Sequence, residues 1–188
     1  MQELRLASVL NLKAPAPGAL PSRLEGVAYS GAIVPSYGVV IDVASTKATA
    51  PMVLLAEHDR SQIVGVVEQI AFAGGRITVQ GRIFSDMPGS QAERIAQLAQ
   101  RGTPWQLSVG LHAFTEEVLH LEQSATVNDQ TVRGPLTVLR NGIVRECSIV
   151  TLGADRNTSA RLFGGGGRHL SAKAIYERRQ REAAACRR

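Results

Sequence analysis

The chain has 188 residues, of which 44 % are hydrophobic, and it carries a formal net charge of +5. This length fits one domain plus a tail, and no apolar run approaches the ~20 residues of a transmembrane helix. The charge is concentrated at the end: from residue 164 onward seven Lys or Arg stand against two Glu, whereas the preceding 163 residues carry fourteen of each sign. A neutral body argues against a nucleic-acid-binding domain, so any such contact would be a weak one through the tail.

The two ends of the chain differ in composition from its middle. Residues 1–23 contain an Ala-Pro-Ala-Pro-Gly run and predict a mobile leader that lacks the apolar centre of a signal peptide. Residues 24–163 predict one folded domain. Residues 164–188 predict a glycine linker and a basic tail, in which 171–185 has the pattern of a polar helix. We therefore expect a protein of the cytoplasm.

Short apolar runs bounded by turn residues predict a series of strands. In chain order these strands cover residues 24–34, 39–43, 52–56, 63–72, 76–84, 105–113, 118–126, 131–139 and 143–152, with a loop at 44–50. The turn signals between them are Gly74-Gly75, Asn128-Asp129 and Asn141-Gly142.

One segment has helical rather than strand periodicity. Ala92, Ile95, Ala96 and Ala99 follow i, i+3, i+4, i+7 spacing and predict an amphipathic helix at 88–101. Ser85 or Asp86 would cap it, and Pro88 would lie in its first turn. Many strands with one interposed helix predict a mainly β protein, a closed or partly open antiparallel β-barrel surrounded by a few α-helices.

Two short segments fifty residues apart each place a reactive side chain in a strand-like setting. Residues 55–59 (LAEHD) bring His58 to the end of a strand, and residues 104–110 (PWQLSVG) contain Ser108. A serine hydroxyl becomes a good nucleophile when a neighbouring base takes its proton, and an imidazole can do this near neutral pH. The apolar residues of the second segment alternate with Ser108, so burial of their face would leave Ser108 open to a substrate.

A third group is needed to orient the imidazole and to stabilise its charged form. Glu146, in the last predicted strand, is the main candidate. His112 or His120 could take the same role, since a second histidine can orient the first. Asp59 is less favoured, because a neighbour in sequence rarely orients the same imidazole well.

Other reactive residues have more ordinary interpretations. Cys147 is a rival nucleophile, but it lies in a strand that we expect to be buried, and both Cys147 and Cys186 are expected to be reduced. Asp155 lies in a loop, where it could bind a ligand or cap the backbone. The histidines show no metal-ligand spacing, so we expect neither a metal nor a cofactor.

Several blocks of the chain together resemble a known family. They are VLLAEHD at 53–59 followed by IVG at 63–65, the hairpin around Gly74-Gly75, the helix, WQLSVG at 105–110, and RECSIV at 145–150. In this order they resemble the prohead proteases of tailed bacteriophages, which are related in fold to the capsid-maturation proteases of herpesviruses. The resemblance runs from about Leu24 to about Leu162 and excludes the leader and the tail.

The resemblance implies a serine endopeptidase with Ser108 as nucleophile, His58 as base and Glu146 as third member. Some relatives use a second histidine as the third member, which keeps His112 and His120 open. The implied substrates are scaffold proteins, the scaffold-like segment of a capsid precursor, and the protease itself. Self-association and a location inside an assembling procapsid, in the host bacterial cytoplasm, are also implied. The basic tail would then dock on coat or scaffold subunits.

Two other hypotheses belong to different classes. The chain could be a catalytically inactive assembly protein that uses the same fold to bind scaffold, or a module that contacts nucleic acid through its tail. Intact His58, Ser108 and Glu146 favour the protease over the first of these. The neutral body argues against the second, which would show a steep salt dependence of binding.

Overall fold

The structure is a computed structural model that describes residues 20–164. The predicted leader up to residue 19, the glycine linker beyond residue 164, the helix predicted at 171–185 and Cys186 lie outside the described residues. In chain order the elements are β1 (Arg23–Tyr29), β2 (Val39–Ile41), a 3₁₀ turn (Val43–Ser45), β3 (Met52–Ala56), β4 (Asp59–Ala73), β5 (Arg76–Ile83), α1 (Gln91–Gln100), β6 (Gln106–His112), β7 (Thr115–Leu119), β8 (Ser124–Val127), β9 (Gln130–Arg133), β10 (Leu136–Arg140), β11 (Ile143–Val150) and β12 (Ser159–Phe163).

The main sheet has seven strands in the order β12-β1-β5-β4-β3-β11-β6. Neighbours are antiparallel except for β3 and β11, which run parallel. The two ends of this sheet meet at one point, where the Ala160 amide donates to the Trp105 carbonyl at 2.9 Å. The sheet is therefore curled into a half-barrel.

The prediction of a mainly β fold is confirmed, but the closed barrel with several flanking helices is not. Among residues 20–164 the sole α-helix is α1, which packs against β4. Ala92 and Ile95 place its apolar face in the main core. That core lies inside the curled sheet and includes the fully buried Leu54, Leu107 and Ile149.

The helix begins later than its predicted caps imply. Its N-cap is Ser90, whose hydroxyl accepts from the Glu93 amide at 3.1 Å. The Glu93 carboxylate reaches back to the Gly89 amide at 2.7 Å. These two bonds satisfy the amides of Gly89 and Glu93 at the helix start, which explains why Ser90, rather than Ser85 or Asp86, caps the helix.

Two predicted strands are each broken in two. The strand predicted at 118–126 is divided between β7 and β8, and the strand predicted at 131–139 between β9 and β10. Gly134 marks the second break, since a Cβ there would lie 2.2 Å from the His120 carbonyl oxygen, and Pro135 has no amide to donate to a ladder. The pieces form a three-stranded sheet, β2-β10-β7, and a separate β8–β9 hairpin.

Candidate active site

His58 lies in a two-residue turn that joins β3 to β4. Glu57 and His58 both have left-handed backbones, with φ of 51° and 60°, the geometry of the tight hairpin turns that usually contain Asn or Gly. Such a conformation costs a residue with a side chain about 1–2 kcal/mol. The turn is therefore strained, and contacts with β11 must hold it in place.

Three hydrogen bonds fix this turn on β11 and on Thr151, the residue that follows the strand. The Glu57 amide donates to the Ile149 carbonyl at 3.0 Å. The Glu57 carboxylate accepts from the Thr151 amide at 2.8 Å. The His58 amide donates to the hydroxyl of Ser148 at 3.2 Å. The position of the imidazole is thus set by β11 as well as by its own hairpin.

Ser108 lies on β6, directly opposite Ser148 of β11 in the antiparallel ladder. Trp105 and Leu107 are buried, whereas Ser108 is half-buried and faces away from the core. Its Oγ lies 3.0 Å from Nε2 of His58. The strand alternation that predicted an accessible Ser108 therefore agrees with the structure.

Glu146 lies on β11 and contacts the opposite side of the imidazole. Its Oε1 is 2.8 Å from His58 Nδ1, and its side chain is 16 % exposed against 46 % for His58. An ionised carboxylate only accepts hydrogen bonds, so Nδ1 carries the proton and Nε2 of the neutral ring is free to accept the Ser108 hydroxyl. This is the tautomer that a general base requires.

Two features of the β6–β11 pair make room for the Glu146 carboxylate. The ladder shifts register between Val144 and Glu146, a bulge of the kind that re-aims a side chain. Glu146 is paired with Gly110, where an added Cβ would lie 2.3 Å from Glu146 Oε1. A glycine at this position is therefore required for the carboxylate to reach the imidazole.

The structure places the other third-member candidates elsewhere. His112 is exposed at the end of β6, with its ring edge-on to Phe114 at 4.8 Å between centroids. His120 is exposed in a turn, and its amide donates to the Gln123 side chain. The Asp59 carboxylate accepts from the amide and hydroxyl of Ser61, which lowers its pKa. Of the candidates for the orienting group, Glu146 is therefore the one whose side chain contacts the imidazole of His58.

Cys147 lies in the main core, and Asp155 is held by two backbone amides. Cys147 is fully buried in the main core, and burial together with the nearby Glu146 charge raises the pKa of its thiol, which disfavours the thiolate. Asp155 is 7 % exposed, and its carboxylate accepts from the Asn157 amide of its own loop and from the distant Ser30 amide. The expected local cap is present, and Asp155 also lies in the lining of the cleft beside Ser108.

Ser148 is a residue that the sequence analysis did not single out. It is fully buried, and its hydroxyl donates to Glu146 Oε2 at 2.6 Å while accepting from the His58 amide. Glu146 and Ser148 are two residues apart on one strand and so share a face. The sequence could therefore have indicated that Ser148 lies on the same face as Glu146. It could not have indicated that Ser148 contacts His58, which is ninety residues away in the chain.

Ser108 and His58 open onto a cleft of about 860 Å³. Its lining is mainly apolar and includes Val39, Val109 and Leu139. Ser108 lies on the last strand of the sheet order, and beyond the bridge between Trp105 and Ala160 the outer side of β6 pairs with no other strand of residues 20–164. A cleft beside an edge strand can accept an extended peptide, whose backbone would pair with the strand while its side chains enter the cleft.

Comparison of the chain with protein family models, with curated proteins and with solved structures finds no match. Within residues 20–164 no helix is both long and apolar enough to cross a membrane. In the same range no group of three or more His, Cys, Asp or Glu side chains is placed to hold a metal ion.

Proposed function

We propose that the chain is a serine endopeptidase of the prohead-protease type. The observation that carries the proposal is that His58 contacts the other two side chains through its two ring nitrogens, with Ser108 Oγ 3.0 Å from Nε2 and Glu146 Oε1 2.8 Å from Nδ1. A nucleophile, a base and an orienting group within hydrogen-bond reach are the parts that acyl transfer by a serine requires.

The proposed reaction has two stages. Ser108 Oγ attacks the carbonyl carbon of the scissile peptide bond as His58 takes its proton at Nε2. His58 then gives that proton to the departing amine as the carbon–nitrogen bond breaks, which leaves an ester on Ser108. A water molecule then attacks the ester carbon as His58 takes its proton, and His58 returns that proton to Ser108 Oγ as the bond from Oγ to the acyl carbon breaks and the carboxylic acid product leaves. Glu146 accepts a hydrogen bond from the Nδ1–H group throughout and stabilises the imidazolium.

The proposed substrates follow from the family resemblance and agree with the shape of the cleft. They are scaffold proteins, the scaffold-like segment of a capsid precursor, and the protease itself, cleaved inside an assembling procapsid in the bacterial host. The mainly apolar cleft favours extended segments with apolar side chains next to the scissile bond. The alternative is an inactive assembly protein that binds the same partners without cutting them.

One experiment separates the protease from the inactive assembly protein. The chain is co-expressed with the coat and scaffold proteins encoded beside it, as wild type, as Ser108→Ala, and as Ser124→Ala, a control at an exposed serine of β8. We expect shortened scaffold and coat products with the wild type and the control, and full-length products with Ser108→Ala. Uncleaved products from all three would refute the protease.

A direct label identifies the nucleophile without knowledge of the substrate. A fluorophosphonate probe should modify the purified wild type at Ser108, as read by peptide mapping. Labelling should be lost in Ser108→Ala and retained in Ser124→Ala. Labelling that persists in Ser108→Ala would place the nucleophile at another residue.

A further inference from the structure

Ser148 connects two parts of the candidate site that are far apart in the sequence. Its hydroxyl donates to Glu146 Oε2 at 2.6 Å and accepts from the backbone amide of His58 at 3.2 Å. The side chain is fully buried, so bulk water does not compete for either bond. The first bond joins two residues of β11, and the second joins β11 to the turn that carries His58.

These two bonds act on different properties of the base. The bond to Glu146 fixes the carboxylate oxygen that does not contact the imidazole, and thereby sets the direction of the one that does. The bond from the His58 amide holds the left-handed turn against β11. A hydroxyl can donate and accept at once, whereas an alanine could do neither.

Removing this hydroxyl would leave a partly buried carboxylate oxygen without its donor and a strained turn with one fewer anchor. Glu57 would still hold the turn through Thr151 and Ile149. The turn should therefore persist, but the imidazole and the carboxylate would no longer be aligned by a shared group. Misplacement of a reacting group by ~1 Å can reduce the rate about 100-fold.

We propose that Ser148 is a positioning residue that couples the orientation of Glu146 to the placement of His58. This proposal rests on the proposed protease function, since it assigns Ser148 a role in the same reaction. Ser148 is fully buried and lies outside the cleft lining, so it takes no proton from a substrate. It acts through the other two side chains, so its removal should lower kcat and leave KM nearly unchanged.

The first test compares Ser148→Ala with Ser85→Ala. Ser85 is also a buried serine, 7 % exposed, and it lies outside the cleft lining. We expect Ser148→Ala to lower kcat for a scaffold-derived peptide by about 10- to 100-fold with little change in KM, and Ser85→Ala to retain the wild-type kcat. If Ser148→Ala does not fold, Ser148→Cys keeps nearly the same volume with a much weaker donor, and the same loss is expected.

The second test asks whether Ser148 acts through Glu146. In a double-mutant cycle, Ser148→Ala added to Glu146→Ala should lower kcat by much less than the 10- to 100-fold loss expected in the wild-type background, because the carboxylate is already absent and the remaining bond holds a turn that Glu57 also anchors. A further loss of the full 10- to 100-fold would contradict the proposal. So would a wild-type kcat in the single Ser148→Ala variant.

A spectroscopic readout separates this proposal from the protease function. The proton between His58 Nδ1 and the Glu146 carboxylate should give a downfield NMR resonance that Glu146→Ala abolishes. Ser148→Ala should shift or broaden it, and Ser85→Ala should not. If the wild type neither cleaves nor labels, the protease function fails, yet this resonance still tests the coupling. An unchanged resonance in Ser148→Ala overturns the proposal.

Discussion

Two clusters of carboxylates and basic groups connect neighbouring strands in this molecule, and their basic partners differ. In the first, Glu146 contacts the imidazole of His58, which also reaches Ser108. In the second, Arg140 of β10 pairs with Asp42 and with Glu117 of β7, each at 2.7 Å. The hydrogen bonds are similar in length, but a guanidinium keeps its protons whereas an imidazole exchanges one.

The difference shows how similar contacts serve different purposes. The two carboxylates around Arg140 raise the pKa of its guanidinium further, so Arg140 keeps its positive charge at every accessible pH. It can join strands, but it cannot pass a proton. The partners of Glu146 are an imidazole and a hydroxyl, and beyond the imidazole lies Ser108 at the cleft. Only this cluster has a proton that can move toward a substrate.

The largest expected effect comes from removing the exchangeable group. His58→Asn replaces the base with a residue that tolerates a positive φ, so the turn should keep its shape. We expect the rate of peptide cleavage to fall by a factor on the order of 10⁴. Because the His58 side chain is 46 % exposed and Glu146 keeps its bond from the Ser148 hydroxyl, the free energy of unfolding should fall by only about 0.5–1.5 kcal/mol. Kinetics and urea unfolding on the same samples test both, and a large loss of stability would make His58 structural.

A second prediction concerns Gly110, which leaves room for the Glu146 carboxylate beside His58. Gly110→Ala adds a Cβ that would lie 2.3 Å from Glu146 Oε1, so the flexible carboxylate must swing away from His58. We expect the cleavage rate to fall about 10- to 100-fold. The matched control places Gly110→Ala in a Glu146→Ala background, where the space is free and no further loss is expected. Equal losses in both backgrounds would mean that Gly110 acts on the strand and not on Glu146.

The sequence predicted the members of this cluster better than their surroundings. Strand alternation correctly set Ser108 apart from the buried Leu107, and the hairpin at Gly74-Gly75 joins β4 and β5 as predicted. Alternation is a local signal and depends on two residues of one strand. The contacts of Glu146 with His58 and of Ser148 with the turn depend on the pairing of β11 with both β3 and β6, which no local pattern encodes.

The incorrect boundaries have the same cause. β4 begins at Asp59 although its first residues are polar, because the hairpin extends beyond the core and its residues 59–63 are all exposed. β12 at 159–163 was missed because it is short, and it is held by pairing with β1, more than a hundred residues earlier. A pattern of burial predicts strands only where the sheet covers a core.

Substitution of Arg140, the centre of the second cluster, should lower the stability of the fold without lowering the cleavage rate. Arg140→Met leaves Asp42, whose side chain is 13 % exposed, without its ion-pair partner. We expect the free energy of unfolding to fall by about 1–3 kcal/mol with the cleavage rate unchanged. Arg133→Met is the control, since Arg133 pairs with Glu122 on the open surface, where an ion pair contributes about 0–1 kcal/mol. Equal destabilisation by both changes would show that burial does not distinguish the two ion pairs.

The smallest expected effect is a loss of stability at alkaline pH that comes from the buried hydroxyl of Tyr29. Tyr29 is buried beside the cleft, where its hydroxyl donates to the Ala32 carbonyl and accepts from the Ile41 amide. Burial raises the pKa of Tyr29 from 10.0 to about 12. Between these values the unfolded chain releases the proton while the folded chain retains it, so the free energy of unfolding falls as the pH rises. The contribution is complete below pH 10.0 and lost as the pH passes about 12.

By about pH 11 this loss should amount to roughly 1.4 kcal/mol. Urea unfolding of the wild type between pH 9 and about pH 11 should therefore give a falling free energy of unfolding. Tyr29→Phe should be less stable at neutral pH, because the Ile41 amide loses its acceptor, but should have a flatter slope. Tyr37→Phe, at a tyrosine that is 72 % exposed, should keep the wild-type slope. If Tyr29→Phe retained the wild-type slope, the alkaline loss would come from other groups, and the buried hydroxyl would not hold its proton as its burial implies.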